Sequence, residues 1–314
     1  MNIDLAGLIP AVVTPMHEDG AVDEAGLRRY VKWLLGFEGL KALAVNMDTG
    51  EGPQLTRDER RRILELYAEY VGDRLPVLAG IGAPNTEMAV DLAKDAEGAG
   101  AAGLVVFPHP IFIGEPLPAE VPYEYHRAIA EAVPLPMVLF QLQAALGGVI
   151  FSREALLKLI TIDNVVAIKE ASFDAVQFVE TARVLDGAPR RIQLLTGNDN
   201  FILESFVLGA DGALIGFGTL AIAEQIEMLE RHRSGDTNRA REIYDRVVQP
   251  LVSVVFATPV RDYRARTKEA LVELGVLDAA HMRPPLLNLS QEERTAVRVA
   301  VANANLTVPA AASS

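Results

Sequence analysis

The chain has 314 residues, half of them hydrophobic, with a formal charge of -13 and an isoelectric point near 4.9. That is enough apolar material for one large α/β domain or two smaller ones. The acidic balance speaks against nucleic acid or an anionic membrane as partner, because phosphate binding needs concentrated Lys and Arg. The lack of cysteine rules out disulfides, thiolate metal sites and thiol nucleophiles.

The opening Met1-Asn2-Ile3-Asp4-Leu5 has neither the basic nor the long apolar segment of a secretion signal, and no run has the length of a bilayer span. A cytoplasmic protein is expected. Short runs rich in Val, Ile and Leu then recur, bordered by Gly or Pro, at 8–13, 40–46, 76–79, 103–107, 137–141, 165–170, 192–196 and 212–217. Bordered runs of this length read as buried parallel strands. Amphipathic stretches separate them. Thr56 and Glu59 make a capping box for a helix over 60–70, and Ser152 is the N-cap of another over 153–160.

Strand followed by helix, eight times over at about 25 to 30 residues per unit, predicts an α/β fold, the (β/α)₈ TIM barrel. An open doubly wound sheet would instead place a glycine-rich nucleotide loop after the first strand, where this chain has Thr14-Pro15-Met16. The run Gly216-Phe217-Gly218-Thr219-Leu220-Ala221 has the spacing of such a loop, but it follows the last strand and has no acidic partner downstream. It reads as a tight turn. Helical periods continue over 221–233, 237–256, 263–274 and 291–302, the last capped by Ser290 and Glu293. The expected division is a barrel core over 1–220, its last helix running to 233, and a C-terminal helical domain over 234–314 with a frayed tail from 308.

Lys169 stands out, because it interrupts the otherwise buried run Val165-Val166-Ala167-Ile168-Lys169-Glu170-Ala171. A lysine there can extend its ammonium to solvent, pair with an acid, or be held neutral for nucleophilic attack on a ketone. Lys32, Lys41, Lys94, Lys158 and Lys268 lie in helical patterns or at element ends, where a solvated face accounts for them. A parallel barrel carries its site at the carboxyl ends of its strands, and Lys169 belongs to that set. His17, His109, His126, His232 and His281 are too scattered to place two ligands on one helix face, so no metal is expected.

Gly7-Leu8-Ile9-Pro10-Ala11-Val12-Val13-Thr14-Pro15, then Val166-Ala167-Ile168-Lys169-Glu170-Ala171, then Met282-Arg283-Pro284-Pro285 occur in order across essentially the whole chain. With them the chain resembles the dihydrodipicolinate synthase and N-acetylneuraminate lyase family of Schiff-base-forming aldolases and lyases. The resemblance implies a barrel with C-terminal helices, a homo-oligomer (tetramer or dimer), no cofactor, and an imine between Lys169 and pyruvate or another 2-oxo acid.

The family's loop after the second strand, Gly-Thr/Ser-Thr-Gly-Glu, holds the keto-acid carboxylate. Here it is Met47-Asp48-Thr49-Gly50-Glu51, so Thr49 and Gly50 are expected to bind that carboxylate, while Asp48 places a like charge beside it. Asp48 reads equally as a turn residue. After the fifth strand the family's Tyr-Asn-x-Pro, whose tyrosine moves protons, is replaced by Phe140-Gln141-Leu142-Gln143. Phe140 can neither donate nor accept a proton.

The tyrosine after the fourth strand gives way to Pro108-His109-Pro110, and no cation stands in 143–148 where the synthases carry an arginine for their second substrate. The authentic lysine-pathway synthase is therefore not expected. The resulting expectation is a Schiff-base lyase, aldolase or dehydratase for a 2-oxo acid or sugar-acid derivative. In it Lys169 is the nucleophile, His109 or Asp48 moves protons, and Phe140, Gln141 and Leu214 shape the pocket. The competing reading is a barrel that keeps the lysine but has lost turnover and binds a 2-oxo acid as a sensor or partner subunit. A phosphate-binding barrel is disfavoured by the acidic Gly197-Asn198-Asp199.

Overall fold

Among the described residues, 3–114 and 116–309, the computed structural model places eight strands and twelve α-helices. The barrel half runs β1 (Leu8–Pro10), α1 (Glu24–Leu34), β2 (Leu43–Val45), α2 (Arg57–Val71), β3 (Val77–Ile81), α3 (Thr86–Gly98), β4 (Gly103–Val106) and α4 (Glu120–Ala132). It continues β5 (Met137–Leu142), α5 (Arg153–Leu159), β6 (Val165–Ala171), α6 (Ala175–Asp186), β7 (Gln193–Thr196), α7 (Ile202–Val207), β8 (Gly212–Ile215) and α8 (Ile222–Arg233). Each apolar run that the sequence marks is one of these strands. The expected tail extends to residues 310–314, which lie outside the described residues.

Every strand pairing is parallel, in the order β1-β8-β7-β6-β5-β4-β3-β2, and the bridges Leu8↔Leu40 and Ala11↔Ala44 bring the two edges together. The (β/α)₈ barrel predicted from the repeat is thus the observed fold. Alternation along each strand sorts side chains into two cores. Ile9, Ala44, Leu78, Val105, Val138, Ala167, Leu195 and Leu214 fill the lumen, while Leu8, Leu43, Val77, Leu104, Leu139, Ile168, Leu194 and Ala213 face the helix layer.

The helix starts follow the caps. Thr56 and Glu59 form the reciprocal capping box of α2, and Ser152 accepts the Ala155 N–H at the start of α5. The stretch 237–256, expected as one helix, consists of α9 (Thr237–Ile243), a π-helical turn (Tyr244–Val248) and α10 (Gln249–Val255). Pro250 has no N–H to give the carbonyl of Arg246 and its ring crowds that group, and the wider turn accommodates both. α11 (Tyr263–Glu273) and α12 (Gln291–Ala304) follow, α12 with its Ser290 and Glu293 capping box. α11 lies across the carboxyl ends of the barrel strands, where Tyr263, Arg264 and Lys268 bond the loop after β2. No helix among the described residues is long and apolar enough to cross a membrane.

Candidate active site

On β6, Ala167, Lys169 and Ala171 point inward while Ile168 and Glu170 point outward. Lys169 is 7% exposed, so its side chain is largely withdrawn from solvent. Gly197 leaves it room: a Cβ there would lie 2.7 Å from Lys169 Cε. Lys169 Nζ stands 4.1 Å from the centroid of the Phe140 ring, which itself meets Phe107 edge-on at 5.0 Å. Burial pulls the lysine down to about 8, against the opposing pull of the Asp199 and Asp48 carboxylates. Asp199, at the end of β7, accepts the Phe217 N–H at 2.8 Å, and burial raises its carboxyl to about 7. Burial thus shifts the amine down and its carboxyl neighbour up, each toward its neutral form.

The loop after β2 is folded by its backbone. Asn46 takes a left-handed conformation, which asparagine tolerates, and Gly50 and Gly52 N–H both donate to the Met47 carbonyl at 3.1 and 3.0 Å. The Gly50 carbonyl in turn accepts the Thr14 hydroxyl at 2.7 Å. Gly50 thus spends both its N–H and its carbonyl in holding the turn. Glu51, also left-handed at φ 57°, is fully buried and pairs with Lys268 Nζ, while its second oxygen accepts the Arg283 N–H at 2.8 Å. Lys268, read from sequence as solvated, is fully buried as well. The correction has a physical cause, because the partner that makes burial tolerable lies 217 residues away.

Thr49 is buried at the mouth of the lumen, and its Oγ1 lies 3.1 Å from the Tyr263 hydroxyl. That hydroxyl donates to Asp48 Oδ2 at 3.0 Å. Arg264 pairs with the same carboxylate, and its Nε donates to the Asp48 carbonyl at 2.8 Å. Burial, reinforced by the charge of Asp48, pushes the Tyr263 phenol well above its ordinary value.

Lys169, Asp48, Thr49 and Phe140 are thereby gathered at one end of the barrel, and Leu214 packs in the lumen on β8. Two expected residues are engaged in local structure. Gln141 follows the strand alternation outward, where its Nε2 donates to Thr181 on α6 at 2.7 Å and its Oε1 accepts the Phe151 N–H at 3.2 Å. His109 caps the turn Pro110–Phe112, with Nδ1 accepting the Ile111 N–H at 3.1 Å and its ring against Phe112 and Tyr125. The proline on either side of it favours that turn, and the aromatic packing then holds the imidazole.

Tyr263 and Arg264 join the site without having been singled out, and Asp199 joins it from the acidic strand end Gly197-Asn198-Asp199. Asp199 was open to reading as a charge at a strand end. Tyr263 and Arg264 open a charge-rich helical stretch and carry no local signal of what they approach. A cleft of about 380 Å³ adjoins the loop and is lined by Asp48, Arg60, Phe107 and Leu142 among others. A larger cleft of about 880 Å³ lies between α10 and α12, where Leu251, Val254 and Val299 line it and none of the groups around Lys169 takes part. Among the described residues no group of three His, Asp or Glu side chains converges as a metal site would require.

A desolvated lysine in the lumen, at the carboxyl ends of parallel barrel strands and beside the Asp199 and Asp48 carboxyls, defines the class of imine-forming barrel lyases. The chain belongs to the dihydrodipicolinate synthetase family, whose model matches residues 4–304. Class I aldolases of this family are lyases that work through a lysine Schiff base. A 4-hydroxy-tetrahydrodipicolinate synthase of Chlorobium phaeobacteroides is 32% identical over 303 residues, covering 96% of this chain and 98% of the relative. The dihydrodipicolinate synthase of Bacillus anthracis superimposes with a TM-score of 0.85 at 27% identity, over 96% of this chain and 99% of that one. The chloride-inhibited synthase of Acinetobacter baumannii, solved in complex with pyruvate, does so with a TM-score of 0.83 at 28% identity, over 96% and 100%.

Proposed function

We propose that this chain is a cofactor-independent lyase that joins Lys169 to the ketone of pyruvate, another 2-oxo acid or a sugar-acid derivative. The observation that carries the reading is the lumen-facing, buried Lys169 held below the ordinary lysine range beside Asp199 and Asp48. A neutral amine adds to the ketone, water leaves, and the protonated imine draws electrons from the neighbouring carbon–carbon or carbon–oxygen bond. Aldol cleavage, condensation and dehydration all use that electron sink. Thr49, whose hydroxyl faces the same space, would hold the carboxylate, and Phe140 and Leu214 would form the apolar wall.

Two features support a substrate other than that of the lysine-pathway synthases. Phe140 stands where they carry the proton-moving tyrosine, and the segment 143–148 offers no cation for a second carboxylate. A cytoplasmic homo-oligomer, tetramer or dimer, accompanies this reading by family likeness. Incubation with pyruvate and borohydride, followed by peptide mass spectrometry, tests it. The expected result is one reduced adduct confined to Lys169 and lost in Lys169→Ala. No adduct with pyruvate or with longer 2-oxo acids would overturn the lyase reading in favour of a barrel that binds without turnover.

A further inference from the structure

The Phe140 position leaves the imine chemistry without its family proton carrier, and the structure presents another hydroxyl from a different part of the chain. Tyr263 begins α11, outside the barrel, yet its ring enters the barrel mouth. There it stacks on Phe256 at 4.6 Å, and a Cβ at Gly216 would come within 2.9 Å of Tyr263 Cε2 and 3.2 Å of Thr49 Oγ1. The glycine at the end of β8 is thus the gap through which the ring passes. At the tip, the phenol oxygen touches Thr49 Oγ1 and Asp48 Oδ2 at 3.1 and 3.0 Å, and Arg264 grips both the carboxylate and the carbonyl of Asp48. Two side chains of the loop after β2 thus converge on one hydroxyl from a distant segment, and Arg264 holds one of them in place.

We infer that Tyr263, working with Asp48, is the proton-transfer group of the Lys169 site. The inference rests on the imine chemistry proposed above and assigns it a residue that the barrel itself does not supply. When the protonated imine of a 2-oxo acid gives up a proton from C3, the C–H electron pair forms the C2=C3 bond and the C=N π pair returns to nitrogen. The proton arrives on the Tyr263 oxygen as the phenolic proton moves to Asp48. In the return direction the proton on Asp48 passes back through Tyr263, to C3 or to the oxygen of an incoming aldehyde. No proton is gained or lost over the round trip. Because burial and the Asp48 charge disfavour the phenolate, Tyr263 acts by passing a proton through rather than by resting ionised.

The test is the exchange of the pyruvate methyl protons with D₂O, followed by ¹H NMR on the full chain alongside borohydride trapping after long incubation. 2-Oxobutanoate is run in parallel. Wild type is expected to exchange and to trap. Tyr263→Phe, which keeps the ring and its stack on Phe256, is expected to exchange about 100-fold more slowly, the lower end of the range for a lost general acid–base group, while trapping to the wild-type yield. Asp48→Asn, which leaves the phenol and its stack in place, is expected to slow the same exchange and serves if Tyr263→Phe does not fold. Exchange by Tyr263→Phe within about threefold of wild type, far short of that range, overturns the assignment. So does a loss of trapping in step with exchange, the mark of a structural role. Absence of any adduct in wild type would instead overturn the lyase reading, and this inference with it.

Discussion

Lys169 and Asp199 divide one problem between them, since each is buried and each makes the other's charge tolerable. Burial lowers the lysine from 10.5 to about 8, and the Asp199 carboxylate opposes that fall. Imine formation needs the neutral amine, whose fraction rises tenfold per pH unit below the pKa. The rate of borohydride trapping should therefore climb with pH and level off near pH 8, whereas an ordinary lysine would still be gaining above pH 10. Asp199→Asn removes a charge that favours the ammonium while keeping an oxygen for the Phe217 N–H, so the plateau should move to lower pH. A plateau that stays in place, or moves up, would remove Asp199 from the lysine's surroundings. Lys169 was legible in the sequence because a lysine inside an apolar run breaks a local pattern. Tyr263 breaks none, and the contact that gives it meaning joins residues 214 positions apart. His109 was legible by its chemistry and strand-end position, and local turn geometry and aromatic packing hold its ring in place.

α11 explains why the site's outer half was hidden. Its sequence, Tyr-Arg-Ala-Arg-Thr-Lys-Glu-Ala-Leu-Val-Glu, reads as a solvated helix, yet every residue from Tyr263 to Leu271 is buried. Its charges are instead matched one by one: Arg264 by Asp48, Lys268 by Glu51, Arg266 by Glu293 and Glu269 by Arg298. Periodicity finds amphipathic helices, and a helix buried on all sides through paired charges has no apolar stripe to find. The strands and the capped helices show the converse, since their signals are local and each was recovered close to its place. The Lys268–Glu51 pair is the sharpest case, with both side chains fully buried. Lys268→Met should cost about 3–5 kcal/mol, because it leaves the Glu51 carboxylate buried with only the Arg283 N–H. Adding Glu51→Gln to it should restore part of the loss, since the stranded charge is then gone. Urea midpoints of the two variants against wild type measure both effects, and a single-variant loss below about 1 kcal/mol would mean that Glu51 finds water instead.

For the molecule as a whole, these pairs argue against an energetic boundary where the repeats end. The sequence suggested a barrel core to 220, its last helix running to 233, and a C-terminal helical domain from 234. Arg264 and Lys268 on α11, and Arg283 beyond it, all bond the loop after β2 or the start of α2, with Arg283 reaching Glu59 through two nitrogens at 2.7 and 2.8 Å. Lifting α11 from the barrel would strand Glu51 and Lys268 without partners and empty the slot at Gly216 that Tyr263 and Phe256 fill. Such an opening is costly, so barrel and α11 should unfold together. The only tryptophan, Trp33, lies on α1 and reports the barrel, whereas amide hydrogen exchange reports α11 directly. The expected outcome is that α11 amides open with the same free energy as those of β2 and β6, and that this value agrees with the stability from Trp33 fluorescence in urea. In Lys268→Met, α11 should become the first segment to lose protection. Free opening of α11 in wild type would show that the hydroxyl of Tyr263 visits the lysine site rather than residing there, and would recast it as a lid on the barrel.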